Sequence, residues 1–230
     1  MMERTLEPAS LVVISLAPEA SVEWIRSDRA AQAAARIIPG KYLAFLADRP
    51  GRFGIGLYLH PVLRNENIVS SRKNLVILGG EGTHGRSLQP YTPLPWPVPC
   101  AIDAAVYEML GLRHLECHPS SSQPVHFDNA LWDSHFRSIL KEVRCQAVEE
   151  MQGEMDKYHI PPKDRHQWTT SVSPSEPSTI RPPGYPWLPL IQVDVSPYID
   201  TLTDIPDHRE LDKELREIHR FVYYHYYLVP

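Results

Sequence analysis

A glycine-rich loop is the first group of residues in this sequence whose types and spacing could bind a small ligand. Residues Gly79–Ser87 read GGEGTHGRS and follow the apolar run Asn74–Leu78, which predicts a buried strand. Glycines let several backbone N–H groups converge on an anion, and a basic side chain adds positive charge. The candidate residues for a small phosphate-bearing ligand are Gly80, Gly82, His84, Gly85, Arg86 and Ser87.

The glycine spacing of this loop fits two phosphate-binding fingerprints only in part. It matches GxGxxG, and it matches GxxxxGKS with Arg86 in the place of the lysine. Both fingerprints need a helix directly after the loop, because the helix N-terminus supplies the positive end of a dipole. Pro90 and Pro93 prevent such a helix. The sequence therefore predicts a looser anion nest, with a plain glycine-rich turn as the alternative.

Histidines and a cysteine cluster farther along the chain. Imidazole and thiolate groups are zinc ligands, and four of them could close a tetrahedral site. Their spacing matches no established metal motif, and eleven histidines in 230 residues make chance clustering easy. We predict no metal and no cofactor, and a metal-dependent enzyme is kept as a second alternative. The cluster consists of His114, Cys117, His118, His126 and His135.

Two proline-rich segments could bind partner proteins. Pro182-Pro183-Gly184-Tyr185 is a PPxY motif, which WW domains bind as a polyproline II turn on an aromatic groove. Residues 89–99 read QPYTPLPWPVP, and this proline spacing favours polyproline II over helix or central strand. Pro182, Pro183 and Tyr185 are the predicted partner-binding residues, and the predicted partner is a WW domain or another proline-recognising protein.

No motif identifies a catalytic residue. The sequence lacks a GxSxG nucleophile elbow, and none of its cysteines lies in a recognisable catalytic context. Catalytic side chains can nevertheless be far apart in the sequence. Whether the chain is an enzyme is left open, and the catalytic residues are unknown.

Charge and composition narrow the classes of partner. The net charge is −5, and residues 1–100 carry +3 whereas residues 101–230 carry −8. Because phosphate contacts need lysine and arginine, we expect no nucleic-acid partner. No apolar run approaches the roughly 20 residues of a membrane helix, so we expect no membrane partner either. Three cysteines without repeated spacing indicate a reducing compartment, and we expect a cytoplasmic location.

The elements that must position these residues can be predicted from apolar periodicity and capping signals. Apolar and alternating runs predict strands at Leu11–Leu16, Ser21–Arg26, Tyr42–Ala47, Phe53–Leu59 and Asn74–Leu78. The turn sequence DRPGR at 48–52 predicts that the third and fourth of these strands form a hairpin. Ser27 is the predicted N-cap of one helix, and Asp128 is predicted to open another. Three- and four-residue apolar spacing predicts helices at Asp28–Ile37, at Ala101–Leu110 with Gly111 as its cap, at 128–157 and at 207–230.

These elements predict an α+β protein with an N-terminal strand-rich layer packed by helices. The domain organisation that we expect is a globular domain over 1–160, a proline-rich extension over 161–206 and an amphipathic C-terminal helix docking on the body. Residues 163–183 are polar and are predicted to be mobile. The favoured function is an intracellular interaction or adaptor protein. The alternative is an enzyme or binding protein for an anionic ligand at the glycine-rich loop.

Overall fold

The computed structural model describes most of the chain and places eight strands and four α-helices in it. The described residues are 6–48, 56–64, 74–81, 86–96, 100–104, 106, 108–116, 123–157 and 190–228. The strands are β1 (Ser10–Leu16), β2 (Tyr42–Asp48), β3 (Leu57–Leu63), β4 (Leu75–Leu78), β5 (Ser87–Leu88), β6 (Cys100–Asp103), β7 (Glu108–Leu115) and β8 (Gln192–Ser196). The helices are α1 (Pro18–Val22), α2 (Asp28–Ala34), α3 (Asn129–Lys157) and α4 (His208–Leu228). The predicted mixture of helix and strand is confirmed, and strands outnumber α-helices in the described ranges.

The chain divides into two compact units. One unit contains residues 1–139 together with 189–230, and it holds all eight strands. The other unit is 140–188, of which the described part is the C-terminal portion of α3. No helix in the described ranges has the length and apolar character that crossing a bilayer requires.

Five of the strands close into a ring. Along the sheet the order is β2, β1, β8, β7, β3, and β2 also pairs with β3, so both edges of this part are joined. All of its pairings are antiparallel except that of β7 with β8. A parallel pair needs a long connection, and the chain between β7 and β8 includes α3. Closure leaves no open edge in this ring.

A second branch of sheet extends from β3. The N-terminal half of β3 pairs with β7, whereas Val62 and Leu63 pair with β6. The sheet then continues to β4 and ends at the two-residue strand β5, which runs parallel to β4. Leu63, Leu75, Ile77 and Ala101 form a buried apolar cluster on this branch. This branch carries the glycine-rich loop, because that loop connects β4 to β5.

Capping and hairpin signals in the sequence are confirmed by the structure. Ser27 caps α2 by accepting a hydrogen bond from the backbone N–H of Ala30 at 3.4 Å, although the helix ends at Ala34. Asp128 caps α3 by accepting from the N–H of Leu131 at 3.0 Å. The predicted hairpin is the antiparallel pair β2 and β3. Its second strand continues to Leu63 because β6 pairs with that end.

Two element predictions are wrong. Ser21–Arg26 is not a strand, because Pro18 begins α1 and a 3-10 turn follows it at Glu23–Ile25. Ala101–Leu110 is not a helix, and Gly111 lies within β7 and is not a cap. In β6, Ile102 pairs with Val62 on one side and with Val76 on the other. Because a short apolar run fits a buried helix and a buried strand equally well, only the sheet pairing decided between them.

The C-terminal helix has the apolar face that its spacing predicts. Leu211, Leu215, Ile218 and Val222 recur at steps of four, three and four residues, and all four are buried. Strand β8 lies within residues 161–206, the segment that sequence reasoning assigned to a proline-rich extension, and it sits between β1 and β7. Residues 163–183, predicted to be mobile, lie outside the described residues.

Candidate functional site

The glycine-rich loop leaves β4 and returns beside it as β5. The N–H of Ile77 donates to the carbonyl of Arg86 at 3.1 Å, and the N–H of Gly79 donates to the carbonyl of Leu88 at 2.9 Å. Gly79 has a φ of +74°, a conformation that favours glycine. These bonds fix the two ends of the loop.

Of the six predicted ligand-binding residues, three are described: Gly80, Arg86 and Ser87. The carbonyl of Gly80 accepts from the Nε2 amide of Gln89 at 3.0 Å. Gly82, His84 and Gly85 lie outside the described residues. The structure therefore brings the ends of the predicted nest together, and the anion nest itself stays a prediction.

A histidine of α3 reaches this loop. Nε2 of His135 donates to the carbonyl of Ser87 at 3.3 Å, so that two signals that were separate in the sequence meet at β5. Sequence reasoning placed His135 with the metal-binding candidates and did not connect it to the glycine-rich loop. Only the packing of α3 against the sheet could reveal this contact, because 47 residues separate the two positions along the chain.

The remaining histidine candidates do not converge within the described ranges. His114 is exposed on β7, whereas Cys117 and His118 lie outside those ranges. Nδ1 of His126 is 3.8 Å from a carboxylate oxygen of Glu7. Among the residues that the structure describes, no group of three or more histidine, cysteine or acidic side chains could hold a metal ion.

The first proline-rich segment, residues 89–96, lies across the surface in an alternating arrangement. Its odd-numbered residues Gln89, Tyr91, Pro93 and Pro95 are exposed, whereas Pro90, Thr92 and Leu94 are half-buried and Trp96 is buried. Tyr91 is 72% exposed, the second most exposed of the large hydrophobic residues in the described part of the chain. The outer side of the segment thus carries a tyrosine and two prolines.

The inner side of residues 89–96 is attached to the body at three points. Pro90 forms a β-bridge with Phe127, and the N–H of Tyr91 donates to the carbonyl of His126 at 2.9 Å. A Cβ built on Gly79 would lie 2.8 Å from the Cδ1 atom of Leu94, so Leu94 occupies the space that this glycine leaves. Trp96 is only 8% exposed. The segment is therefore held in place while its outer side chains remain accessible.

A buried histidine was missed by sequence reasoning. His60 on β3 is 1% exposed, and its Nδ1 donates to the carbonyl of Val106 at 2.8 Å. The rings of Phe45 and Trp132 lie 6.5 and 5.2 Å from it. Burial lowers its pKa, which keeps the imidazole neutral near pH 7. The available signal was its place in the apolar run LYLHPVL of β3.

A second polar group joins α4 to β2. The hydroxyl of Tyr42 donates to Oε1 of Glu214 at 2.5 Å, and the N–H of Gly40 donates to the same oxygen at 3.1 Å. Burial and this hydrogen bond raise the pKa of Tyr42 far above its ordinary value.

The pKa of Glu108 on β7 is also raised, first by burial and then by the nearby charge of Asp212 on α4.

His60 is enclosed by aromatic rings, and the Tyr42–Glu214 contact joins two secondary-structure elements. Comparison of the chain with protein-family models, with characterised proteins and with solved structures finds no match. Function must therefore be inferred from the side chains that the fold leaves accessible.

Proposed function

We propose that this chain is an intracellular interaction or adaptor protein that partner domains bind through its proline-rich segments. The observation that carries the proposal is residues 89–96, whose outer side presents Tyr91, Pro93 and Pro95. Domains of the WW, SH3 and EVH1 classes bind proline-rich segments in grooves lined by aromatic side chains. An exposed tyrosine between prolines offers such a groove both apolar rings and a hydroxyl group.

Preorganisation favours this reading of residues 89–96. A free peptide loses conformational entropy when a partner orders it, about 1–2 kcal/mol for each residue of backbone. Here Pro90 and Trp96 already hold both ends of the described segment, and the proline rings fix φ. The partner therefore has less disorder to remove, which increases the affinity that a small contact can reach.

The PPxY motif is the second contact in the proposal. Pro182, Pro183 and Tyr185 lie outside the described residues, so this part rests on the sequence motif alone. We place the motif in the proline-rich stretch that precedes β8, with the partner a WW domain and the location cytoplasmic. Two separate proline-rich contacts would let one chain join two partner domains, which is what an adaptor does.

The test is a titration of the full chain into isotope-labelled WW, SH3 and EVH1 domains, followed by NMR. We expect a dissociation constant in the micromolar range, equivalent to about −8 kcal/mol. Tyr185→Ala should remove binding of the WW domain. Tyr91→Ala combined with Pro93→Ala should remove binding to the face of residues 89–96.

Ile38→Ala is the matched control for this titration, because Ile38 is 89% exposed and lies away from both segments in the sequence. It should leave every titration unchanged. If no domain binds, or if Ile38→Ala weakens binding as much as the proline-segment variants do, the adaptor function is wrong.

A small anionic ligand at the glycine-rich loop is the second candidate function. The contact of His135 with Ser87 favours it, because this contact places an imidazole beside a loop that also carries Arg86. Phosphate or a nucleotide at about 100 times its dissociation constant would then stabilise the native chain by about 2.7 kcal/mol. The shift in melting temperature should disappear in Arg86→Ala. If phosphate, nucleotides and sugar phosphates produce no shift, the loop is a plain turn.

A further inference from the structure

The outer face of α4 carries a stripe of basic side chains. Arg209, Lys213, Arg216 and Arg220 recur at steps of four, three and four residues, and all four are exposed. At 3.6 residues per turn they fall within about 60° of one another around the helix axis. We call these four residues the basic stripe. It lies on the side of α4 opposite the buried apolar stripe that begins at Leu211.

The basic stripe is a narrow surface of defined length. It spans twelve residues, and the eleven steps of 1.5 Å between them make it about 16 Å long. Its side chains line a shallow open cleft together with Asp212 and Glu217. Glu210 also flanks it, with a carboxylate oxygen 3.7 Å from Nζ of Lys213. The cations thus form a narrow band with carboxylates on both sides.

Like charges three and four residues apart destabilise a helix when nothing compensates them. The flanking carboxylates offset part of this repulsion within α4. An anionic partner as narrow as the band would meet its cations without meeting the carboxylates beside it. Charge complementarity therefore selects the shape of the partner as well as its sign.

We propose that the basic stripe is a docking surface for a helix of a partner protein that carries carboxylates at the same four-three-four spacing. Two helices that pack side by side bring residues at alternating four- and three-residue spacing on one helix against residues of the same spacing on the other. A duplex or a bilayer presents a broad anionic surface instead, which would also contact Glu210, Asp212 and Glu217.

The probe is a fluorescent alanine-based helical peptide with four glutamates at this spacing, titrated with the full chain and followed by anisotropy. We expect binding that weakens strongly between about 50 and 300 mM salt, because the contact is exposed and ionic. Lys213→Glu with Arg216→Glu should weaken binding by about tenfold or more. A peptide in which lysines replace only the two central glutamates should bind this double variant and restore the interaction.

Arg29→Glu with Arg36→Glu is the matched control. Both arginines are exposed, they lie outside α4, and the control has the same net charge as the test variant. Equal loss of affinity in both double variants would show that only long-range charge acts, and it would overturn the proposal. Lys213→Gln with Arg216→Gln gives the same comparison if the charge reversals reduce the helix signal in circular dichroism.

Single-stranded RNA and vesicles containing phosphatidylserine are the two other probes. We expect neither to bind through the basic stripe. If either one binds and loses affinity in the double variant, while the acidic peptide does not bind, the docking surface belongs to a different class of partner and the proposal is wrong. Absence of peptide binding at low salt would overturn it equally.

Discussion

At the scale of single residues, Glu214 joins two parts of the structure that are far apart in the sequence. It accepts hydrogen bonds from the Tyr42 hydroxyl and the Gly40 N–H, while its other carboxylate oxygen is buried and receives no hydrogen bond from the residues that the structure describes. Gly40 permits this arrangement, because a Cβ there would lie 2.7 Å from the Tyr42 hydroxyl oxygen. A single carboxylate thereby connects α4 to the start of β2.

Tyr42→Phe should lower the free energy of unfolding by about 1–2 kcal/mol at neutral pH. The variant removes a donor and leaves a largely buried carboxylate oxygen less satisfied. Since the pKa of Tyr42 is raised in the folded chain, its hydroxyl ionises first in the unfolded chain, near pH 10. The stability difference between wild type and variant should therefore shrink as the pH rises above about 10. Urea unfolding at pH 7–11 measures it, and a constant difference would contradict the assignment.

His60 should make the chain sensitive to mild acid. Its pKa is lowered in the folded state, so the unfolded chain takes up the proton first as the pH falls below 6.5. The contribution of His60 to the free energy of unfolding is therefore fully present above pH 6.5 and is lost as the pH falls below it. His60→Asn should be less stable by about 2–4 kcal/mol at pH 7, because it leaves a cavity among the aromatic rings. Melting temperatures at pH 7 and pH 5 should differ less in the variant than in the wild type.

At the scale of secondary-structure elements, an aromatic cluster attaches the beginning of α3 to the sheet. Trp132 is 1% exposed, its ring centroid lies 4.8 Å from that of Phe45, and it stacks on Phe136 at 5.2 Å. The cap at Asp128 begins the helix just before this contact. The sequence predicted both the cap and the apolar stripe, but it did not identify the surface that the stripe covers.

Trp132→Ala should cost about 3–5 kcal/mol of stability, as is typical when a large buried aromatic side chain is removed. The neighbouring residue Leu131 is 41% exposed, so Leu131→Ala is the matched control and should change stability by less than about 1 kcal/mol. Guanidinium unfolding of both variants measures the difference. Equal losses would mean that the cluster does not anchor α3.

At the scale of the whole molecule, strand β8 completes the closed ring. Without it, β1 and β7 would each present an unpaired edge, because β8 is hydrogen-bonded to both. Val193 and Val195 are buried, and Asp194 between them forms an ion pair with Arg113 at 3.4 Å. The fold of the N-terminal strands therefore depends on residues near the C-terminus.

Val193→Asp should prevent folding, because an unpaired carboxylate at a fully buried position costs several kcal/mol. This cost is a large share of the typical free energy of unfolding of a protein, which is about 5–15 kcal/mol. Asp194→Asn, one residue along on the other face, should change stability by no more than about 1 kcal/mol. Circular dichroism and hydrogen exchange of the two variants make the comparison. A well-folded Val193→Asp chain would show that β8 is not required to close the ring.

Local chemistry in the sequence was enough to predict many of the elements and their boundaries. The β-branched run at Leu11–Leu16, the caps at Ser27 and Asp128 and the apolar spacing of α4 each depend on neighbouring residues, and each is found in the structure. Gly80, Arg86 and Ser87 were likewise predicted to follow a strand, and they do.

What only the tertiary structure decided depends on partners that are distant along the chain. Residues 101–103 became strand because β3 and β4 offered hydrogen bonds on both sides of β6, a gain that no local periodicity can show. In the same way His135 reached Ser87, and Tyr42 reached Glu214 across 172 positions. Such contacts form when burial brings separate apolar faces together, because the free energy of burial depends on the area removed from water and not on the order of residues along the chain.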